Sequence, residues 1–208
     1  MTGATLLSFL AASSVFTLSP GPDNTFVVAT GVARGRRAAV ATALGMCSGV
    51  TVHTAAAALG VSAVLYSSAT AFRVLKYAGA AYLLYLAFRT FRDGGGVLLP
   101  RQEDGGEGSW VLFRRGFLMN VVNPKVGIFF LAFLPQFVVP GEGEPAAQML
   151  LLGALFMAQA VPLFTLLAWL SGSVGRALLS RPLAARAFRL LSGAVLAWLG
   201  VRIALAER

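Results

Sequence analysis

Charge is the scarcest thing in this chain. Only 12% of its 208 residues are Asp, Glu, Lys or Arg, about half of what a soluble domain carries. Acidic residues are rarer still, 8 against 17 Lys and Arg, for a net charge of +9. There is one cysteine, Cys47, and one histidine, His53. An internal disulfide and a cysteine-based metal cluster are thereby excluded, and no metal or cofactor is expected. No Walker A loop is present, so ATP-driven pumping within this chain is not expected. Gly-x-Ser-x-Gly and His-Glu-x-x-His are absent too, and the chain does not read as an enzyme. The N-terminus lacks the basic region of a signal peptide and reads as retained.

What is abundant is apolar sequence. Hydrophobic residues make up 57% of the chain, and the mean hydropathy is +0.76. The class is an integral membrane protein in contact with the lipid bilayer. Lys and Arg sit mostly in short clusters between apolar runs. A basic patch interleaved with aromatics on a polar domain is missing, so nucleic acid is not an expected partner.

Six runs approach the ~20 residues that cross ~30 Å of hydrocarbon. They lie within Ala4–Ala33, Ala38–Tyr66, Phe72–Phe91, Gly116–Val139, Ala146–Ser171 and about Phe188–Leu205. Continuous apolarity indicates helices; the period-two alternation of a membrane barrel is absent. The stretch Arg92–Ser109 is rich in Gly and charge and reads as a solvent loop. With the N-terminus outside, Arg34, Arg36, Arg37, Arg89, Arg92, Arg101, Arg114, Arg115, Arg176, Arg181, Arg186 and Arg189 fall on the cytoplasmic side. Arg73, Lys76, Arg202 and Arg208 fall outside. The positive-inside rule then favours both termini outside.

The first and fourth runs are interrupted. Ser19-Pro20-Gly21-Pro22-Asp23-Asn24 cannot continue an α-helix, because proline lacks an N–H and clashes with the preceding turn. Asn120-Val121-Val122-Asn123-Pro124-Lys125 breaks the fourth run, and Pro124 follows Pro20 by 104 residues. The same shift lays the second run over the fifth and Gly49 over Gly153. Three spans per half require the second half to enter from the opposite side. The fold expected is all-α, with six transmembrane helices arranged as two inverted three-helix repeats, helices 1 and 4 broken. It is one transporter domain over 1–208, with repeats over about 4–91 and 114–206 and a loop over about 92–113.

Asp23 and Lys125 are the two formal charges far from span ends. Lys125 lies about 14 Å beyond Gly116 at about 1.5 Å per residue. Each would cost several kcal/mol facing lipid. They are expected to face inward and to approach one another, with a mutual pair the least costly solution. A structural ion pair explains that much. Two breaks, each beside an amide and an ionisable residue, also fit a substrate site: Pro20, Gly21, Pro22, Asp23, Asn24, Asn120, Asn123, Pro124 and Lys125. Such a cavity suits a zwitterion, with Asp23 on an α-ammonium and Lys125 or freed N–H groups on an α-carboxylate. Asp23 and His53 are candidates for proton coupling, and a hydrogen-bonded packing role for His53 stands equally open. Gly45 and Gly49 have the spacing of close helix contact, internal or at a homodimer face. Pro162 is a candidate kink and Gln159 a candidate cavity residue.

At these residues the chain resembles the lysine exporter / threonine–homoserine exporter (LysE/RhtB) family. The motifs run in order: Ser19-Pro20-Gly21-Pro22-Asp23, Gly35-Arg36, Gly45 with Gly49, Gly79-Ala80-Ala81-Tyr82-Leu83, Gly116-Phe117-Leu118-Met119-Asn120, Asn123-Pro124-Lys125 and Pro135-Gln136-Phe137. The resemblance implies a bacterial inner-membrane exporter of amino acids or derivatives, driven by the membrane potential or a proton gradient. An exporter or channel for another small solute, or a non-transporting assembly subunit, are the alternatives.

Overall fold

The computed structural model describes residues 1–19, 21–61, 69–92, 108–139, 141–180 and 182–205. Among them every regular element is helical. Pro20, the loop over 93–107, Pro140, Arg181 and Arg208 lie outside the described residues, as does the end of the second run.

The first run folds as α1 (Gly3–Leu18) and α2 (Pro22–Arg34). The Thr2 hydroxyl caps α1 by accepting from Thr5 N at 3.3 Å, and Pro22 starts α2 at a position where its missing N–H costs nothing. The two axes bend by 52°. Gly35, at φ +84°, makes the sharp turn into α3 (Arg36–Ala56), a backbone region that glycine enters without strain. A π-helical turn, Ala57–Val61, extends α3. Helix α4 is Ala69–Arg92.

The fourth run is α5 (Ser109–Val121), then α6 (Pro124–Ile128), a π-helical turn (Phe129–Phe133) and a 3-10 turn (Leu134–Phe137). Its bend is 50°. The last two elements are α7 (Pro145–Ser180) and α8 (Pro182–Leu205). Pro162 does not interrupt α7, whose 36 residues reach about 54 Å at about 1.5 Å per residue.

By length and apolarity, Arg36–Gly60 and Pro145–Ser173 each suffice to cross a membrane, and four segments do so once each bent pair is counted as one. Helices α4 and α8 have 24 residues each, long enough to span, but their arginines and Lys76 hold their apolarity lower. Among the described residues the chain is thus all-helical, with several apolar helices, as a multi-pass membrane protein has.

Helix α3 lies at the centre, packed against α5, α7 and α2; α4 pairs with α8, and α7 also contacts α1 and α2. Close crossing of α3 and α5 depends on glycine. A Cβ on Gly45 would run into the Phe113 carbonyl, and one on Gly116 into that of Thr42. The Gly45–Gly49 face is therefore spent inside the protomer, not on a homodimer contact. An aromatic core built from Phe9, Phe16, Phe129, Phe130, Phe133, Phe137 and Phe156 fills the space between the broken helices. A second, aliphatic cluster joins α2, α3 and α7 through Val27, Ala39, Ala43, Met46 and Ala168. The N-terminal ammonium of Met1 pairs with Glu142, which ties the start of α1 to the turn before α7.

Candidate functional site

A proline in a helix leaves a carbonyl without its donor, and buried carbonyls must find another. That requirement organises the site. Pro22 cannot donate to Leu18 O, and the α1 helix ends there. Asn24 Nδ2 takes over, donating to Thr17 O at 3.0 Å and Leu18 O at 3.4 Å. Lys125 Nζ donates to Ser19 O at 2.8 Å and to Ser19 Oγ at 3.1 Å. The ammonium thus sits at the carbonyl end of α1, where the helix dipole favours a cation. It also lies 4.7 Å from the centroid of the Phe16 ring, within cation–π range. Phe16 in turn stacks on Phe129 at 3.9 Å.

The second break is built the same way. Pro124 cannot donate to Asn120 O. Asn123 N does so at 2.9 Å, and His53 Nε2 reaches the same oxygen at 2.9 Å. Asn123 caps α6: its Oδ1 accepts from Lys125 N at 3.0 Å. Its Nδ2 faces the other way and donates to Asp23 Oδ1 at 2.7 Å, while Asn120 Nδ2 donates to Asp23 Oδ2 at 2.8 Å. Asp23 lies in the first turn of α2, the dipole end that favours an anion.

Asp23 and Lys125 are only 5% and 7% exposed, and both line one cavity. The expected mutual pair is not formed. Asp23 is held by two amides and Lys125 by Ser19. The reason lies in the breaks themselves: each presents to the other's charge a backbone or side-chain partner, Ser19 to Lys125 and the two asparagine amides to Asp23.

The cavity has about 410 Å³ of non-atom space, its open mouth included. Gly21, Asp23, Asn24, Asn120, Asn123 and Lys125 line it. Pro22 and Pro124 contribute through the backbone, as the first residues of α2 and α6. A Cβ on Gly21 would stand 3.1 Å from Lys125 Nζ, so this glycine makes room for the ammonium. Phe16, Thr17, Met46, Cys47, Val50, Val126, Phe156, Ala160 and Phe164 complete the wall. Thr17 and Phe16 were not singled out from the sequence; their place at the end of α1, directly before the break, is the signal that points to them. Gln159 is one bond removed from the cavity. Its Nε2 donates to Thr17 Oγ1 at 3.0 Å and its Oε1 accepts from Ser14 at 3.2 Å, linking α7 to α1. His53 touches the Asn120 carbonyl, not Asp23. Among the described residues no three His, Cys, Asp or Glu side chains gather within reach of one metal ion.

Comparison with known proteins supplies the context for this geometry. The family profile of the LysE type translocator matches residues 14–207. The homoserine/homoserine lactone efflux protein of Salmonella typhimurium is 34% identical over 149 residues, covering 70% of each chain. An uncharacterized membrane protein of Pseudomonas aeruginosa is 35% identical over 142 residues, 66% of each chain. The leucine efflux protein of Klebsiella pneumoniae is 29% identical over 152 residues, 70% of this chain and 69% of its own. No solved structure matches the chain.

Proposed function

The chain belongs to the LysE type translocator family, and from that membership we propose that it is a secondary-active exporter of amino acids or their derivatives across the cytoplasmic membrane. The relatives named for homoserine, homoserine lactone and leucine efflux support this cargo class. The binding site is the cavity at the two breaks. Asp23 receives the α-ammonium of the cargo in exchange for an asparagine amide. Lys125 turns from Ser19 to the α-carboxylate. Each exchange replaces one charged hydrogen bond by another, so the cargo enters without stranding a buried charge.

The observation that carries this reading is the opposed pair of charges on one cavity wall, each held by hydrogen bonds rather than by the other. A closed ion pair would have to be broken before cargo could bind; two separately held charges are already presented to it. Exchange of the α-ammonium for a proton at Asp23 is the step that couples export to the proton gradient in this reading.

The domain is a single transmembrane unit over 1–208, with repeats over about 4–91 and 114–206 in inverted orientation and six spans. The packing supports it. Exchanging the halves maps the contact of α3 with α5 onto that of α7 with α1, and the two bends, 52° and 50°, are alike.

Efflux from proteoliposomes loaded with labelled amino acid tests the proposal. Uphill export that collapses with a protonophore is expected. Asp23→Asn and Lys125→Ala are each expected to lower the rate about tenfold or more, the value of a charge-assisted hydrogen bond of about 1.5–3 kcal/mol. Normal export by both variants would sink the site.

A further inference from the structure

Of the groups lining the cavity, Asp23, Asn120, Asn123 and Lys125 are the ones a zwitterion's head would engage; Thr17 and Asn24 are the other polar side chains there. The rest of the lining is apolar, and its arrangement on α7 is specific. Phe156, Ala160 and Phe164 stand at successive i, i+4 positions on a single helix face, all lining the cavity. Residues so spaced lie one above the other. A methyl group between two phenyl rings leaves a notch at Ala160. Met46, Cys47 and Val50 of α3, a helix packed against α7, line the same cavity. Phe156 is fixed from behind by the Phe130 ring, 5.0 Å away edge to face, and by Phe129 at 5.6 Å. Phe164 is only half-buried. One end of the notch is therefore rigid and the other is adjustable.

We infer that the Ala160 notch between Phe156 and Phe164, together with Met46, Cys47 and Val50, is the subsite for the cargo side chain and selects uncharged, apolar side chains. The inference rests on the proposed zwitterion site and adds the class of cargo to it. Its physical basis is charge. Asp23 and Lys125 are the formal charges among the residues lining the cavity, and the head of the cargo engages both. A second ammonium, guanidinium or carboxylate on the cargo would enter a wall of methyl, thioether, thiol and phenyl groups with no counter-charge. An unpaired buried charge costs several kcal/mol, enough to exclude it. Length is limited by the notch: adding atoms at residue 160 removes the volume a long aliphatic side chain would fill.

Export of a panel of amino acids by the purified full-length chain in liposomes tests this. Leucine, valine and alanine are expected to leave at least about tenfold faster than lysine, arginine, aspartate or glutamate. Ala160→Leu fills the notch and is expected to lower the ratio of leucine to alanine export about tenfold, the scale at which apolar pockets discriminate added methylenes. Phe164→Ala opens the notch and is expected to raise that ratio. Its half-buried position makes it the safer variant should Ala160→Leu fail to insert. Lysine or glutamate exported as fast as leucine overturns the inference, as does a leucine-to-alanine ratio unmoved by Phe164→Ala. Asp23→Asn separates the two levels. If it abolishes export of every amino acid while the side-chain pattern fails, only the subsite is wrong. If it leaves all export intact, or if the wild type exports none of the panel, the zwitterion site beneath it is wrong.

Discussion

His53 sits where a missing donor has to be replaced. Pro124 has no N–H for Asn120 O, and the imidazole supplies one at 2.9 Å. The same asparagine holds Asp23 through its side chain. His53 therefore acts on the carboxylate at one remove, as a positioning residue. His53→Gln retains a side-chain donor and is expected to keep most of the efflux. His53→Leu has none and leaves a buried carbonyl half-satisfied, at about 1–3 kcal/mol. Its efflux should fall severalfold or more with its pH profile unchanged in shape. A pH profile that shifts in both variants would instead make the ring a proton carrier. At this scale the breaks were legible in the sequence, because proline's lost N–H is a property of the residue itself. The charges at Asp23 and Lys125 were legible too, since no other formal charge lies so far from a span end. Their partners were not. Two buried opposite charges suggest a pair, and nothing in the string ranks that pair against a freed Ser19 carbonyl or two asparagine amides. Lys76 was missed altogether: placed near a span end, it reads as a snorkelling residue, yet it is buried at 4% exposure.

Helix breaks are useful only if the pieces on either side are held rigidly, and glycine contacts do that holding. The Gly45 and Gly116 positions let α3 and α5 approach until Cα faces carbonyl. Helix α5 carries Asn120 and α3 carries His53, so this crossing sets the distance that the His53 hydrogen bond must span. Gly116→Ala puts a methyl against the Thr42 carbonyl oxygen. Such overpacking costs about 1–3 kcal/mol, and a lower unfolding temperature in detergent is expected. Gly172→Ala is the contrasting change. A Cβ there meets nothing within 4 Å, and alanine in place of helical glycine stabilises by about 0.5–1 kcal/mol. Opposite signs for the two glycines would support a contact mechanism; equal losses would show only that helical glycines are generally needed. The small-residue spacing was readable, but not which helix it faces, since an internal and an intermolecular contact demand the same residues. The π-helical turns at Ala57–Val61 and Phe129–Phe133 had no sequence signal. They arise where the aromatic core packs across the broken fourth run, which is a tertiary cause.

Across the whole molecule, the placement of charge decides which side is which. Met1 and Glu142 meet, so the start of α1 and the turn before α7 lie at one end of the bundle. Gly35 turns the chain at the other end, beside Arg34, Arg36 and Arg37. Arg36 stacks over Trp169 at 4.7 Å, near the far end of the apolar part of α7, an aromatic–cation pair typical of a membrane–water interface. One end is therefore rich in arginine and carries the α2–α3 turn. The other is poor in it and carries the N-terminus. Lys and Arg are retained on the cytoplasmic side, and on that rule we propose that the N-terminus lies outside. Single cysteines at Thr2, Glu144 and Arg37 make this measurable, since the native Cys47 is buried. Thr2→Cys and Glu144→Cys are expected to react with a membrane-impermeant thiol reagent added to intact cells. Arg37→Cys is expected to react only after the membrane is opened. The reverse pattern would invert the protein and turn the proposed exporter's gradient coupling around with it. Mixed labelling, with Thr2→Cys and Glu144→Cys on different sides, would contradict the shared end itself. If α1 and α2 together cross the membrane once, an odd number of crossings separates Gly35 from residue 144, because Met1 lies beside Glu142. In the inverted arrangement proposed above, that parity has α5 and α6 enter the bilayer opposite in direction to α1 and α2, the sense in which Lys125 meets the carbonyl end of the first break.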